Sequence, residues 1–133
     1  MQGKHLLIIA AIAGFSAVAL GAFGAHGLKG SLNPQQLGWW TTAVQYHLVH
    51  AVALLGVSVW LQISPNDSCS RWLRRTGLMM VLGLVLFSGS LYSMALTDMR
   101  ALGIVTPFGG LSWLMGWFGL VLAASTLKPS EQE

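Results

Sequence analysis

The stretch TGLMMVLGLVLFSGSLYSMALT, Thr76 to Thr97, contains no Asp, Glu, Lys or Arg. Within it, Leu78-Met79-Met80-Val81-Leu82 is apolar at every position, so the alternating pattern of a transmembrane β-barrel is absent. The stretch is long enough to cross a hydrocarbon layer about 30 Å thick, which takes roughly 20 helical residues. Backbone groups in lipid must satisfy one another, and a helix does so within one segment. Thr76–Thr97 therefore reads as a transmembrane helix.

Three further stretches lack Asp, Glu, Lys and Arg: His5–Leu28, Gly30–Asn66 and Ala101–Leu127. The predicted spans are residues 6–27, 40–62, 76–97 and 107–127. The fold class they predict is an all-α membrane protein, an antiparallel bundle of four transmembrane helices, with residues 1–133 forming a single domain. Asn33 and Pro34 supply a cap and a first-turn proline before the second span. Trp39-Trp40 and Trp60 read as its interfacial anchors. Arg71, Arg74 and Arg75 precede the third span, and Thr106-Pro107 supplies a cap and proline for the fourth, which ends at Lys128-Pro129.

Composition agrees with this assignment. Hydrophobic residues make up 54% of the 133 positions and charged residues 8%, against about 25% charged in a soluble domain. Mean hydropathy is +0.65. These values exclude a water-soluble monomer and a disordered chain. The lone Cys69, assigned to a polar connector, excludes a disulfide scaffold. Seven Lys and Arg against four Asp and Glu give a net charge of +3. The basic residues flank the apolar runs, so the expected partner is the lipid bilayer and no nucleic acid. Lys4, Arg71, Arg74, Arg75 and Lys128 share one side, and Lys29 and Arg100 the other. The positive-inside rule then puts both termini in the cytoplasm of a bacterial inner membrane. Lys4 before an apolar run also resembles a signal peptide, but the run is longer than a usual signal core and Ala22-Phe23-Gly24 is only a passable cleavage site.

Helices associate in lipid through close packing and interhelical hydrogen bonds. Ala13, Ala17, Gly21 and Ala25 form a small-residue stripe on the first span, with Ala10 and Gly14 alongside. Gly89 and Ser93 offer a second such face; Ser112, Gly116, Gly119 and Ala123 offer a third. These faces serve the bundle itself, a homo-oligomer or a larger membrane complex.

The polar residues of the spans gather toward the outer leaflet. At about 1.5 Å per residue, His47 lies roughly 10 Å and His50 roughly 15 Å below Trp40. Tyr46, His47 and His50 share a helix face by their spacing. Ser88, Ser90, Tyr92 and Ser93 occupy the outer half of the third span, His26 the outer end of the first, and Thr106 the start of the fourth. The candidate pocket is His47, His50, Tyr46, Tyr92, Ser88 and His26. Ionisable groups inside a membrane are functional candidates, yet a neutral His also serves as interhelical glue. Both roles stay open for His47 and His50. His47, His50 and His26 are weak metal candidates, because no intramembrane carboxylate or thiolate completes a set. A haem between two His, or a quinone-like ring or lipid headgroup against the pocket, is a further possibility on chemistry alone. The cofactor is left unassigned.

A glycine-rich phosphate loop, a nucleophile elbow and a Cys-x-x-Cys pair are all absent from the sequence. Proton-coupled transport is disfavoured because the spans carry no Asp or Glu.

Four segments carry a resemblance: Ala19–His26 (ALGAFGAH), Gln45–Leu55 (QYHLVHAVALL), Leu86–Tyr92 (LFSGSLY) and Thr106–Gly110 (TPFGG). In this order they resemble the signatures of the domain-of-unknown-function 423 family, small bacterial inner-membrane proteins similar to the eukaryotic transmembrane protein 256. The resemblance implies a four-helix inner-membrane protein and assigns no catalytic, cofactor or metal residue. The expected function is a small non-enzymatic accessory or scaffold subunit. The alternative is a protein that binds a ligand, metal, quinone or lipid in the outer-leaflet His/Tyr/Ser pocket.

Overall fold

The computed structural model describes residues 2–128. Helix α1 spans Gly3–His26 and α2 spans Pro34–Gln62. The third span is continuous from Asp67 to Thr97: α3 (Asp67–Gly83), a π-helical turn (Leu84–Ser88) and α4 (Gly89–Thr97). A 3-10 turn (Arg100–Ile104) leads into α5 (Thr106–Ser125). All four spans are long and apolar enough to cross a membrane, and no strand occurs among the described residues. Short connectors reverse the chain between consecutive spans. Helix α1 packs chiefly on α2, α5 packs chiefly on α3, and α2 joins the two pairs through α3 and α4.

Local chemistry explains where the helices start. Asn33 accepts from the Gln36 backbone N–H at 2.9 Å while Gln36 returns the bond to the Asn33 N–H at 3.0 Å, a complete capping box ahead of Pro34. Asn66 caps α3 by accepting from the Cys69 N–H at 2.8 Å, and Asp67 stands in the first turn, where a carboxylate suits the helix dipole. The third span thus begins at Asp67, earlier than the predicted Thr76. Arg71, Arg74 and Arg75 lie on the helix, and Cys69 is a fully buried core residue instead of part of a polar connector. Asp98 ends the span in the left-handed conformation (φ 55°), which Asp tolerates better than most residues.

Two more expectations need correction. Thr106 makes no capping bond; its hydroxyl lies 2.6 Å from that of Ser90 instead. Trp40 does not face the lipid boundary. It is buried and donates its indole N–H to the Leu20 carbonyl at 2.9 Å, tying α2 to α1. Helix α5 ends at Ser125, and Pro129 lies outside the described residues.

The core runs between α1, α2, α3 and α5 around Leu6, Leu54, Leu73, Met80 and Trp113. Glycines set how near the helices come. A Cβ on Gly83 would strike the Trp113 indole, and one on Gly109 would strike the backbone nitrogen of Phe87. The small-residue stripe of α1 is partly spent inside the bundle: Ala10, Ala13 and Ala17 are buried, whereas Gly14 has open space beside it.

Gly109→Ala should therefore cost about 1–3 kcal/mol, because backbone cannot move aside for the added methyl. Gly14→Ala should stay within about 0.5 kcal/mol of wild type. Unfolding of both variants in micelles checks the contrast, and equal losses would contradict this packing.

Candidate functional site

The predicted polar residues separate into distinct sites around α2. His47 and His50 are three apart, and their rings turn to different neighbours. His47 lies between α1 and α4, with Nε2 3.3 Å from Ser16 Oγ and Nδ1 3.0 Å from Tyr92 Oη. His50 faces α5. Its Nδ1 is 2.8 Å from the Tyr46 carbonyl, and its Nε2 accepts the indole N–H of Trp117 at 3.2 Å.

The partners fix the protons. A carbonyl can only accept, so His50 carries its proton on Nδ1 and leaves Nε2 bare for Trp117. The Ser16 hydroxyl has two nearer carbonyl acceptors, Ile12 at 2.9 Å and Ala13 at 3.1 Å. Its single proton goes to one of these, so its oxygen accepts from His47 Nε2–H. In a neutral ring His47 Nδ1 is then bare and accepts the Tyr92 O–H. As neutral imidazoles the two rings each present one donor and one acceptor nitrogen, in opposite tautomers.

Aromatic rings enclose the His50 side. The imidazole stacks on Trp113 with centroids 3.7 Å apart and planes within 5°. Trp113 in turn donates to the Met80 carbonyl at 3.1 Å. Tyr46 stacks on both Trp113 and His50 and touches Phe87. On the His47 side, Trp40 meets the Tyr92 ring edge-on at 4.7 Å.

The hydroxyls complete the ties. Ser88, in the π-helical turn, donates to the Ala43 carbonyl of α2 at 2.9 Å. Ser90 pairs with Thr106, and Ser112 donates to the Met79 carbonyl. Ser93 is exposed and bonds back to its own helix at Gly89. Among the described residues, no buried side-chain nitrogen or oxygen lacks a hydrogen-bond partner.

Of the six candidate residues, His47, Tyr92 and Ser88 line one groove between α1 and the third span, with a volume of about 310 Å³. His50 and Tyr46 belong to the aromatic cluster with α5. His26 is exposed at the end of α1, outside both. The weak metal set His47, His50 and His26 is not brought together, and among the described residues no three His, Cys, Asp or Glu side chains are grouped to hold an ion. Each buried imidazole's lone pair already faces an O–H or N–H donor, so a metal or haem iron would have to displace Tyr92 or Trp117.

Three participants escaped the sequence reading: Ser16, Trp113 and Trp117. Each left a signal. Ser16 is the only hydroxyl in α1. The two tryptophans sit mid-span, where an indole N–H needs an acceptor that lipid cannot supply.

A sequence profile for the family described as protein of unknown function (DUF423) matches residues 20–110. The UPF0382 inner membrane protein YgdD of Escherichia coli is 43% identical over 128 residues, covering 96% of this chain and 95% of that protein. The UPF0382 membrane protein YwdK of Bacillus subtilis is 41% identical over 121 residues, covering 91% and 96%. No solved structure matches. The chain belongs to the DUF423 family. As a DUF423 protein it is an integral membrane protein with four transmembrane helices. The matched segment includes His47, His50, Ser88, Tyr92 and Thr106, while Ser16 lies before it and Trp113 and Trp117 after it.

The bond between His47 and Tyr92 is directly measurable. A double-mutant cycle of His47→Leu and Tyr92→Phe in unfolding experiments should give a coupling of about 0.6 kcal/mol, up to about 1.7. A coupling indistinguishable from zero would contradict the proposed pairing.

Proposed function

We propose that this DUF423 protein is a non-enzymatic accessory or scaffold subunit of the bacterial inner membrane, with both termini in the cytoplasm. The observation that carries the reading is the state of α1. In its most apolar stretch 22% of residues are buried, against 33–39% in the other spans. Ala11, Phe15, Val18 and Ala22 are exposed along it. Ala11 and Ala22 leave room for another helix on either side of the projecting Phe15 and Val18. The intramembrane histidines, meanwhile, are engaged in holding α2 to its neighbours. Five basic residues on the side of the termini against two on the other support the orientation.

A second reading keeps one observation of its own. The groove of about 310 Å³ lined by Ser16, His47, Ser88 and Tyr92 opens between α1 and the third span, within the roughly 300–1,000 Å³ range of small-molecule sites. It would admit a quinone-like ring or lipid headgroup that exchanges hydrogen bonds with Tyr92.

A photo-crosslinking residue at Val18, activated in native membranes, should capture a second polypeptide or a second copy. Recovery of monomer alone would contradict the accessory role. A tag fused after Glu133 should stay protected from protease added outside spheroplasts; digestion there would reverse the orientation.

A further inference from the structure

A separate groove lies between α3 and α5, at the end of the bundle that carries the arginines. It has a volume of about 550 Å³. Its floor is sealed where the helices touch: Thr76 is 1% exposed, donates its hydroxyl to the Gly116 carbonyl at 3.3 Å and lies against Gly119, where a Cβ would strike it. Met79, Met115 and Phe118 form the walls. The only hydroxyl in the floor is already bonded, so the groove accepts hydrocarbon and offers nothing to a polar ligand.

Its mouth is different. Arg75 lines the same groove and is exposed. Its guanidinium carbon lies 5.1 Å from the centroid of the Trp72 ring, also at the groove. A guanidinium over an aromatic ring keeps N–H donors available for other partners, and their fork matches phosphate oxygens. Among the described residues the single ion pair is Arg100–Asp98, and none of their carboxylates pairs with Arg75. A basic side chain beside an interfacial Trp, above a narrow apolar trough, has the chemistry of an anionic lipid: phosphate at the polar boundary and alkyl chain below.

We propose that the α3–α5 groove binds an anionic glycerophospholipid, one acyl chain lying over Thr76 and Gly119 and the phosphate on Arg75. This site is independent of the His47 and His50 clusters and of the exposed face of α1. Its occupant is told from bulk lipid by headgroup charge and by dependence on one arginine. Arg74 is the internal control, because it is exposed on the same helix but does not line the groove.

The test is native mass spectrometry of the full chain in micelles supplied with equal phosphatidylglycerol and phosphatidylcholine. Wild type should retain phosphatidylglycerol at least fivefold over phosphatidylcholine. Arg75→Gln should abolish that preference, while Arg74→Gln should change it less than twofold. Met115→Trp, at a lipid-exposed position that tolerates bulk, should fill the trough and lower retention with Arg75 intact. Equal retention of both lipids by wild type would overturn the proposal. So would equal losses in Arg75→Gln and Arg74→Gln, which would mean diffuse attraction to a basic helix end.

Discussion

A polar group buried inside a bilayer has no water to turn to, and among the described residues each buried side-chain nitrogen or oxygen is met by a hydrogen-bond partner. That requirement shapes the bundle more than apolar burial does, since lipid tails solvate Leu as well as another helix would. Helix α2 is the hub. Through His47 it reaches Ser16 on α1 and Tyr92 on α4, and through His50 it reaches Trp117 on α5. The Ala43 carbonyl receives Ser88. Each bond joins groups that would be costly to strand in hydrocarbon, so separating α2 from a neighbour exposes donors and acceptors together.

Close packing permits these bonds. The Trp113 indole lies against Gly83 and stacks beneath His50, so a small residue on α3 and a large one on α5 place the surface on which the imidazole rests. The π-helical turn at Leu84–Ser88 lies where the third span meets both α2 and α5. Such turns add a residue to a helix and reset which side chains face which neighbour. Here Ser88 of that turn meets α2, while the Phe87 backbone lies against Gly109 of α5.

Much of the fold was legible in the sequence, because uninterrupted apolar runs leave few alternatives to a membrane span. The Asn33–Pro34 helix start was legible too, since cap and first-turn proline are local chemistry. Lateral placement was not. In a helix apolar on all sides, periodicity gives no inward face, so nothing in the order of residues said that His47 and His50 turn to different neighbours. For the same reason Trp40 was read as a boundary anchor although its indole is buried against Leu20. Cys69 and the start of α3 were misplaced because three arginines nearby suggested a connector, whereas long cationic side chains on the first turns of a helix can reach the membrane surface. Thr106 looked like a cap by position, but Ser90 across the interface took its hydroxyl.

We infer that both intramembrane histidines are neutral structural ties whose protons are set by the helices they join. Nitrogen-15 spectra of the imidazoles in lipid bilayers test this directly. The expected result is a proton on Nε2 of His47 and on Nδ1 of His50, each with a hydrogen-bonded bare nitrogen. A charged imidazolium at either position, or the same tautomer at both, would contradict it.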